Sequence, residues 1–354
     1  MDITEILKEG LRCGAADIFL VPGAPVTYKV NGSQRREGSE NLLPGDAASL
    51  IQGIYGLCGR SPEKITDPLA DDDFSFAVRE LGRFRVNVMH QRGSLAAVIR
   101  VIKFGIPTPE ELQLPPAVME LTNLQKGMVL VTGAAGSGKS TTLACLIDAI
   151  NHTRSGHIIT MEDPIEYVHR HDRCLVTQRE VFTDCPSYIS ALRSALRESP
   201  DVILLGEMRD YETIETAITA SETGGLLFST LHTTGAANSV DRIIDVFPAQ
   251  QQAQVRVQLS MVLQAVVSQQ LVRTVDDKLC PVFEIMRVNP AIRNLIRESK
   301  TYQIDSAIQA GAADGMCTME SGLLALYKEG RITAETALAH SLSFDSMKRK
   351  LGMA

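Results

Sequence analysis

Met128-Val-Leu-Val-Thr132 runs directly into Gly133-Ala-Ala-Gly-Ser-Gly-Lys139-Ser140, and a helical pattern marked by Leu143, Leu146, Ile147 and Ile150 follows. The octapeptide satisfies G-x-x-x-x-G-K-[ST] at every fixed position and lies between a strand and a helix, the context in which that motif cradles phosphate. Glycines let backbone N–H groups close around phosphate oxygens, Lys139 reaches the β- and γ-phosphates, and the Ser140 hydroxyl can ligate Mg²⁺. Gly133, Ala134, Ala135, Gly136, Ser137, Gly138, Lys139, Ser140 and Thr141 are therefore expected to hold the phosphates of a nucleotide. The plainer alternative is a glycine-rich turn with a solvated lysine; strand, loop and helix in that order argue against it.

Downstream, short β-rich runs alternate with helical patterns: His157-Ile-Ile-Thr160, Val202-Ile-Leu-Leu205 and Leu226-Leu-Phe-Ser-Thr-Leu231. Such alternation predicts a parallel sheet with helices on both faces, which binds ligands at the carboxyl ends of its strands. The last hundred residues read mainly as helices, beginning with Val255, Leu259, Val262, Leu263 and Val266. Three polar groups stand just past strand ends. Glu207 follows Val202–Leu205 and Gly206, where it can orient or deprotonate an attacking water. Many P-loop ATPases hold Mg²⁺ with an Asp at the end of this strand; Gly206 here means that metal contact must come partly from elsewhere. Glu207 can alternatively be a helix-capping acid, the role expected of Asp210 before the helix that begins at Tyr211. Thr160-Met-Glu162-Asp163-Pro-Ile-Glu166 offers three carboxylates, of which Glu162 is the first candidate for the phosphate site and for Mg²⁺; a solvated acidic turn is the plainer alternative. His232 ends the strand Leu226–Leu231 and can hydrogen-bond a γ-phosphate, or be satisfied locally.

Upstream, residues 1–102 read as a small α+β domain. A capped helix opens it at Asp2, and strands follow at Asp17–Val21, Val26–Val30 and around Gln34–Arg36, with Asn31-Gly32 as a tight hairpin turn. After a helix from Pro44 to about Leu57, alternation returns at Phe74, Phe76 and Val78, at Phe84, Val86 and Val88, and at Ala97, Ile99 and Val101. Residues 103–116 carry four prolines in fourteen positions, the composition of a semi-rigid linker. Between Leu81 and Pro109 there is no acidic residue, yet Arg83, Arg85, Arg92, Arg100 and Lys103 are present. Arginines on a strand can clamp phosphate oxygens, although a solvated strand face is the plainer reading.

Length and composition bound the answer. With 354 residues, 44% hydrophobic and 22% charged, the chain has room for about two globular domains and is neither disordered nor fibrous. A net charge of -7 argues against a chain-wide footprint for nucleic acid or anionic membrane. The seven cysteines are scattered, with no zinc-type spacing, and fit reduced thiols in a cytoplasm. The N-terminus lacks a signal-peptide core and no apolar run reaches the roughly 18 residues of a spanning helix, so membrane contact is expected only through a partner.

Together these motifs resemble the secretion and pilus motor ATPases over nearly the whole chain. The four boxes of that family are matched by Gly133–Ser140, by the acidic stretch around Glu162, by Leu196–Asp210 ending its strand in Glu207, and by Ser229–His232 running on through Asp241 to Pro248. Pro290-Ala291-Ile-Arg293-Asn-Leu-Ile-Arg-Glu298 looks most like the retraction branch. The resemblance implies a PAS-like N-terminal domain (residues 1–102), the linker, and a RecA-like ATPase domain with a helical C-terminal part (residues 117–354). It further implies a cytoplasmic homohexamer, recruited to the inner face of the membrane by a platform protein, that couples ATP hydrolysis to type IV pilus retraction. N-terminal arginines would reach the γ-phosphate, with Arg85 and Arg100 ahead of Arg83, Arg92, Arg209 and Arg242. Ala15-Ala-Asp-Ile-Phe19 departs from the family's Ser-Asp-Leu-His-like start, so any role of that histidine is missing. The runner-up is a pilus-extension or type II secretion ATPase. From other classes stand a RecA-like nucleic-acid translocase, disfavoured by the acidic balance, and a non-hydrolysing P-loop regulator, disfavoured by Glu162 and Glu207.

Overall fold

The computed structural model describes residues 2–30, 33–79, 81–102 and 105–353. They form two compact units, Met1–Gly105 and Ile106–Ala354. In the first, Asp2 caps helix Ile3–Arg12 by accepting the Thr4 amide at 3.1 Å. Six strands follow: β1 (Asp17–Leu20), β2 (Thr27–Val30), β3 (Ser33–Arg36), β4 (Asp72–Val78), β5 (Gly82–Gln91) and β6 (Ser94–Ile102). They pair antiparallel in the order β3-β2-β1-β6-β5-β4. Strict alternation explains why one face of β5 is core: Phe84, Val86 and Val88 are fully buried while Arg83, Arg85 and Asn87 are only half-buried. Helices Ile3–Arg12 and Pro44–Cys58 close that core through Leu7 and Ile51. The Asn31-Gly32 turn and Lys103 lie outside the described residues.

The second unit holds a seven-stranded sheet. Its strands are β7 (Gly127–Thr132), β8 (Gly156–Glu162), β9 (Cys174–Glu180), β10 (Val202–Leu205), β11 (Leu226–Leu231), β12 (Leu263–Arg273) and β13 (Leu279–Arg287). The order is β13-β12-β7-β11-β10-β8-β9, parallel throughout except for antiparallel β13 at one edge. Successive residues of β7 feed two separate cores, Met128 and Leu130 into one and Val129 and Val131 into the other. A central parallel strand covered on both faces is apolar at every position for this reason.

One expectation needs correcting, and two strands go unread in the sequence. The apolar spacing continued through Leu263 and Val266 predicts helix, but helix Ala249–Val262 stops there and the chain enters β12. A strand buried on both faces loses its alternation, so its apolar run cannot be told from a helix by spacing. For the same reason β13 is missed, and β9 carries too many polar residues to be noticed. Residues from Ile106 on group with the second unit: Leu114 is buried, and Ile106 and Leu112 pack on the core beside Val118. Apolar residues between the prolines give that segment a face to bury.

Candidate functional site

Strands β7, β11, β10 and β8 are neighbours and parallel, so their carboxyl ends open at one edge of the sheet. There the P-loop, Glu162, Glu207 and His232 line a single cleft of about 260 Å³. The P-loop owes its shape to glycines with positive φ: 143° at Gly133, 77° at Gly136 and 89° at Gly138. A Cβ at Gly133 would overlap the Gln269 carbonyl oxygen, so glycine is required there by space as well as by backbone angle. Lys139 begins helix Lys139–Thr153 and is buried; its Nζ donates to the carbonyls of Gly133 (2.8 Å) and Ala134 (2.9 Å). Burial pushes the ammonium pKa down, and Glu207 and Glu166 pull it back up.

Glu162 is the last residue of β8. Thr160 Oγ1 donates to its Oε1 at 2.6 Å and Gln178 Nε2, from β9, at 3.3 Å. Burial raises the Glu162 carboxyl to about 7, against the pull of those two bonds. Glu207 Oε2 meets Arg209 Nε at 2.7 Å and His232 Nε2 at 3.2 Å, with the carboxylate largely shielded and both partners open to solvent. One oxygen of Glu207 is thus held from two sides. Asp210, immediately after, accepts the Thr213 amide at 2.9 Å and caps helix Tyr211–Glu222, leaving Glu207 for the cleft.

Gly206 also has a spatial reason. A Cβ there would come within 2.8 Å of the Tyr188 hydroxyl and 3.1 Å of the Met161 carbonyl, so a side chain at the strand end would crowd both. Tyr188, at the start of helix Tyr188–Ala195, lines the cleft together with Thr230, whose hydroxyl donates to the Gly206 carbonyl at 2.6 Å. Sequence reasoning misses Tyr188 and Gln178, which lie in no recognisable spacing; Thr230 lies within the box Ser229–His232 but is not singled out there. Asp163, Glu166 and Arg209 line the cleft as well. Arg242 is exposed on helix Ala236–Asp245, away from the cleft lining.

In the first unit Arg85 forms a two-pronged pair with Asp73 (2.9 and 2.6 Å), and Arg100 Nε reaches Asp17 at 3.1 Å. Arg92 occupies the turn between β5 and β6 with φ 50°. On helix Pro290–Arg297, Ile292 and Ile296 are fully buried and Leu295 is half-buried against the same core. Arg293 is half-buried and reaches Gln264 Oε1 at 3.4 Å. A larger cleft of about 730 Å³ elsewhere in the second unit is lined by Pro115, Leu124 and Met316 together with the Glu120–Arg287 ion pair, Asn289 and Asp314, and includes no P-loop residue.

This fold and cleft define a P-loop nucleotide-binding protein of the open α/β type. Residues 71–334 match the family described as type II/IV secretion system protein, and the chain belongs to that family. It is 47% identical to the type IV pilus retraction ATPase PilT of Pseudomonas aeruginosa over 337 residues, 95% of this chain and 97% of that one. It is 46% identical to the twitching motility protein of Neisseria gonorrhoeae over 90% of this chain and 85% of that one. Among solved structures, the pilus retraction motor PilT with bound ADP superposes with a TM-score of 0.91 at 46% identity, covering 99% of both chains. The ATPase DotB of Legionella pneumophila follows at 0.77 and 27%, over 95% and 94%.

Proposed function

We propose that this protein is a motor ATPase that couples ATP hydrolysis to type IV pilus retraction. One observation carries the proposal: a chain 47% identical to a retraction ATPase along nearly its whole length gathers at its P-loop the groups that ATP turnover needs. Gly133 to Thr141 wrap the phosphates and Lys139 exchanges its two loop carbonyls for phosphate oxygens. Mg²⁺ suits this donor set, because it takes few protein oxygens and completes its shell with phosphate and water. The described residues contain no cluster of three His, Cys, Asp or Glu able to hold a metal alone. Ser140 and Glu162 would hold the ion, which neutralises charge on the phosphate oxygens.

Glu207, fixed between Arg209 and His232, orients or deprotonates the attacking water. His232 shares that carboxylate and links the γ-phosphate to the loop that follows β11. Arg85 and Arg100, which pair with Asp73 and Asp17, are the arginines we assign to the transferring phosphoryl group. In this proposal the first unit is a PAS-like domain and the second a RecA-like ATPase domain. The working form is a homohexamer, cytoplasmic and recruited to the inner membrane face by the platform protein of the pilus machine. None of the helices among the described residues is long and apolar enough to cross a membrane.

Deleting the gene tests the direction of work. Hyperpiliated cells without twitching motility are the expected result; bald cells would instead assign extension. In the purified protein, ATP binding without turnover would leave a P-loop regulator, and stimulation by DNA would favour a translocase.

A further inference from the structure

Gln269 stands on β12, on the opposite flank of β7 from the strands that carry Glu162, Glu207 and His232. Ser268 is the last β12 residue paired with β7, opposite Thr132, so Gln269 sits one position further, level with Gly133. It is 4% exposed. Its carbonyl oxygen fills the space a Cβ at Gly133 would need, and its Nε2 lies 2.9 Å from where a Cβ at Gly138 would be. Its Oε1 accepts the hydroxyl of Thr142 at 2.7 Å, and Thr142 is buried in the first turn of the helix that Lys139 begins. One side chain therefore closes the space beside the second fixed glycine of the loop and bonds the helix behind it, while its own carbonyl closes the space beside the first.

We infer that Gln269 is a positioning residue for the P-loop, acting with Thr142 to set the spacing of the phosphate cradle. This rests on the ATP reading above. A buried amide is stable only when bonded, and here the bond spans 127 residues to join β12 to the loop helix. Because the catalytic groups approach from the other flank, losing this bond affects phosphate binding more than turnover. Gln270, the next residue, bonds instead to His340, through its Nε2 to the carbonyl (3.0 Å) and its Oε1 to Nδ1 (2.9 Å), and serves as the matched control.

The test is ADP affinity by calorimetry and ATP turnover on the full chain carrying Gln269→Leu, Thr142→Val, both together, Thr142→Ser, or Gln270→Leu. Gln269→Leu and Thr142→Val are each expected to weaken ADP binding and raise the ATP KM about five- to tenfold, the scale of one buried hydrogen bond. Their kcat should stay within about twofold of wild type. The double variant should be no worse than either single, because both remove one bond. Thr142→Ser, which keeps the hydroxyl, should recover affinity, and Gln270→Leu should bind as wild type does. Wild-type affinity in Gln269→Leu, multiplied losses in the double variant, or an equal loss in Gln270→Leu would each overturn the inference. Failure of the wild-type chain to bind ADP would instead overturn the ATP reading, and the inference with it.

Discussion

Lys139 and Glu207 have separable tasks in one cleft. Lys139→Ala removes the charge that meets the β- and γ-phosphates, and its expected outcome is loss of nucleotide binding in a calorimetric titration. Glu207→Gln keeps the shape and the contact with Arg209 but cannot take a proton. It should bind ATP normally and hydrolyse on the order of a hundredfold more slowly or worse; near-normal turnover in a phosphate-release assay would remove Glu207 from the chemistry. Arg85→Ala and Arg100→Ala are expected to keep ADP affinity and lose about 10³ in rate, the scale of a transition-state arginine. Wild-type rates in both would reduce them to partners of Asp73 and Asp17.

Within elements, two local arrangements can be tested by stability. Gly206→Ala forces a methyl against the Tyr188 hydroxyl and the Met161 carbonyl at the end of β10. Such overpacking costs about 1–3 kcal/mol, and adding Tyr188→Phe should recover part of it in a denaturant titration. At the start of β4, Asp72 is fully buried and bonded by Tyr55 Oη (2.9 Å), Arg60 Nη2 (3.0 Å) and Lys64 Nζ (3.1 Å). Burial raises its pKa, but the bonds from Lys64, Tyr55 and Arg60 outweigh it and leave the group below its ordinary 3.8. The unfolded chain then takes up this proton first as pH falls. The stabilisation is therefore present above about pH 4 and is lost below it, through the lower folded-state pKa. Asp72→Asn should cost about 1–3 kcal/mol at neutral pH and flatten the acid limb of the melting curve; an unchanged acid limb would assign that loss to other carboxylates.

For the whole molecule, chemistry and mechanical output are expected to separate. Helix Pro290–Arg297 lies far in sequence from the phosphate boxes and buries Ile292 and Ile296. Residues 291–296 bear no carboxylate that could join hydrolysis, and Arg293 reaches Gln264. Arg293→Ala is expected to hydrolyse ATP and assemble near wild type, while twitching is lost and surface pili accumulate. Normal twitching would remove Arg293 from the output path, and lost hydrolysis would make it structural.

The phosphate cradle was legible in the sequence because phosphate is bound by consecutive backbone amides, which forces a contiguous motif between strand and helix. Strand-end acids were legible for a related reason: parallel sheets place their ligands at carboxyl ends, so a carboxylate just past a buried apolar run is already located. What surrounds them was decided only by the tertiary structure. Tyr188, Gln178 and Gln269 reach the cleft or its loop from distant segments by the order in which strands assemble, and no local spacing encodes that order. β12 and β13 were hidden because a strand covered on both faces needs no polar alternation. The partners of Arg85 and Arg100 were likewise invisible, since cross-strand register, and not neighbourhood in sequence, brings Asp73 and Asp17 to them.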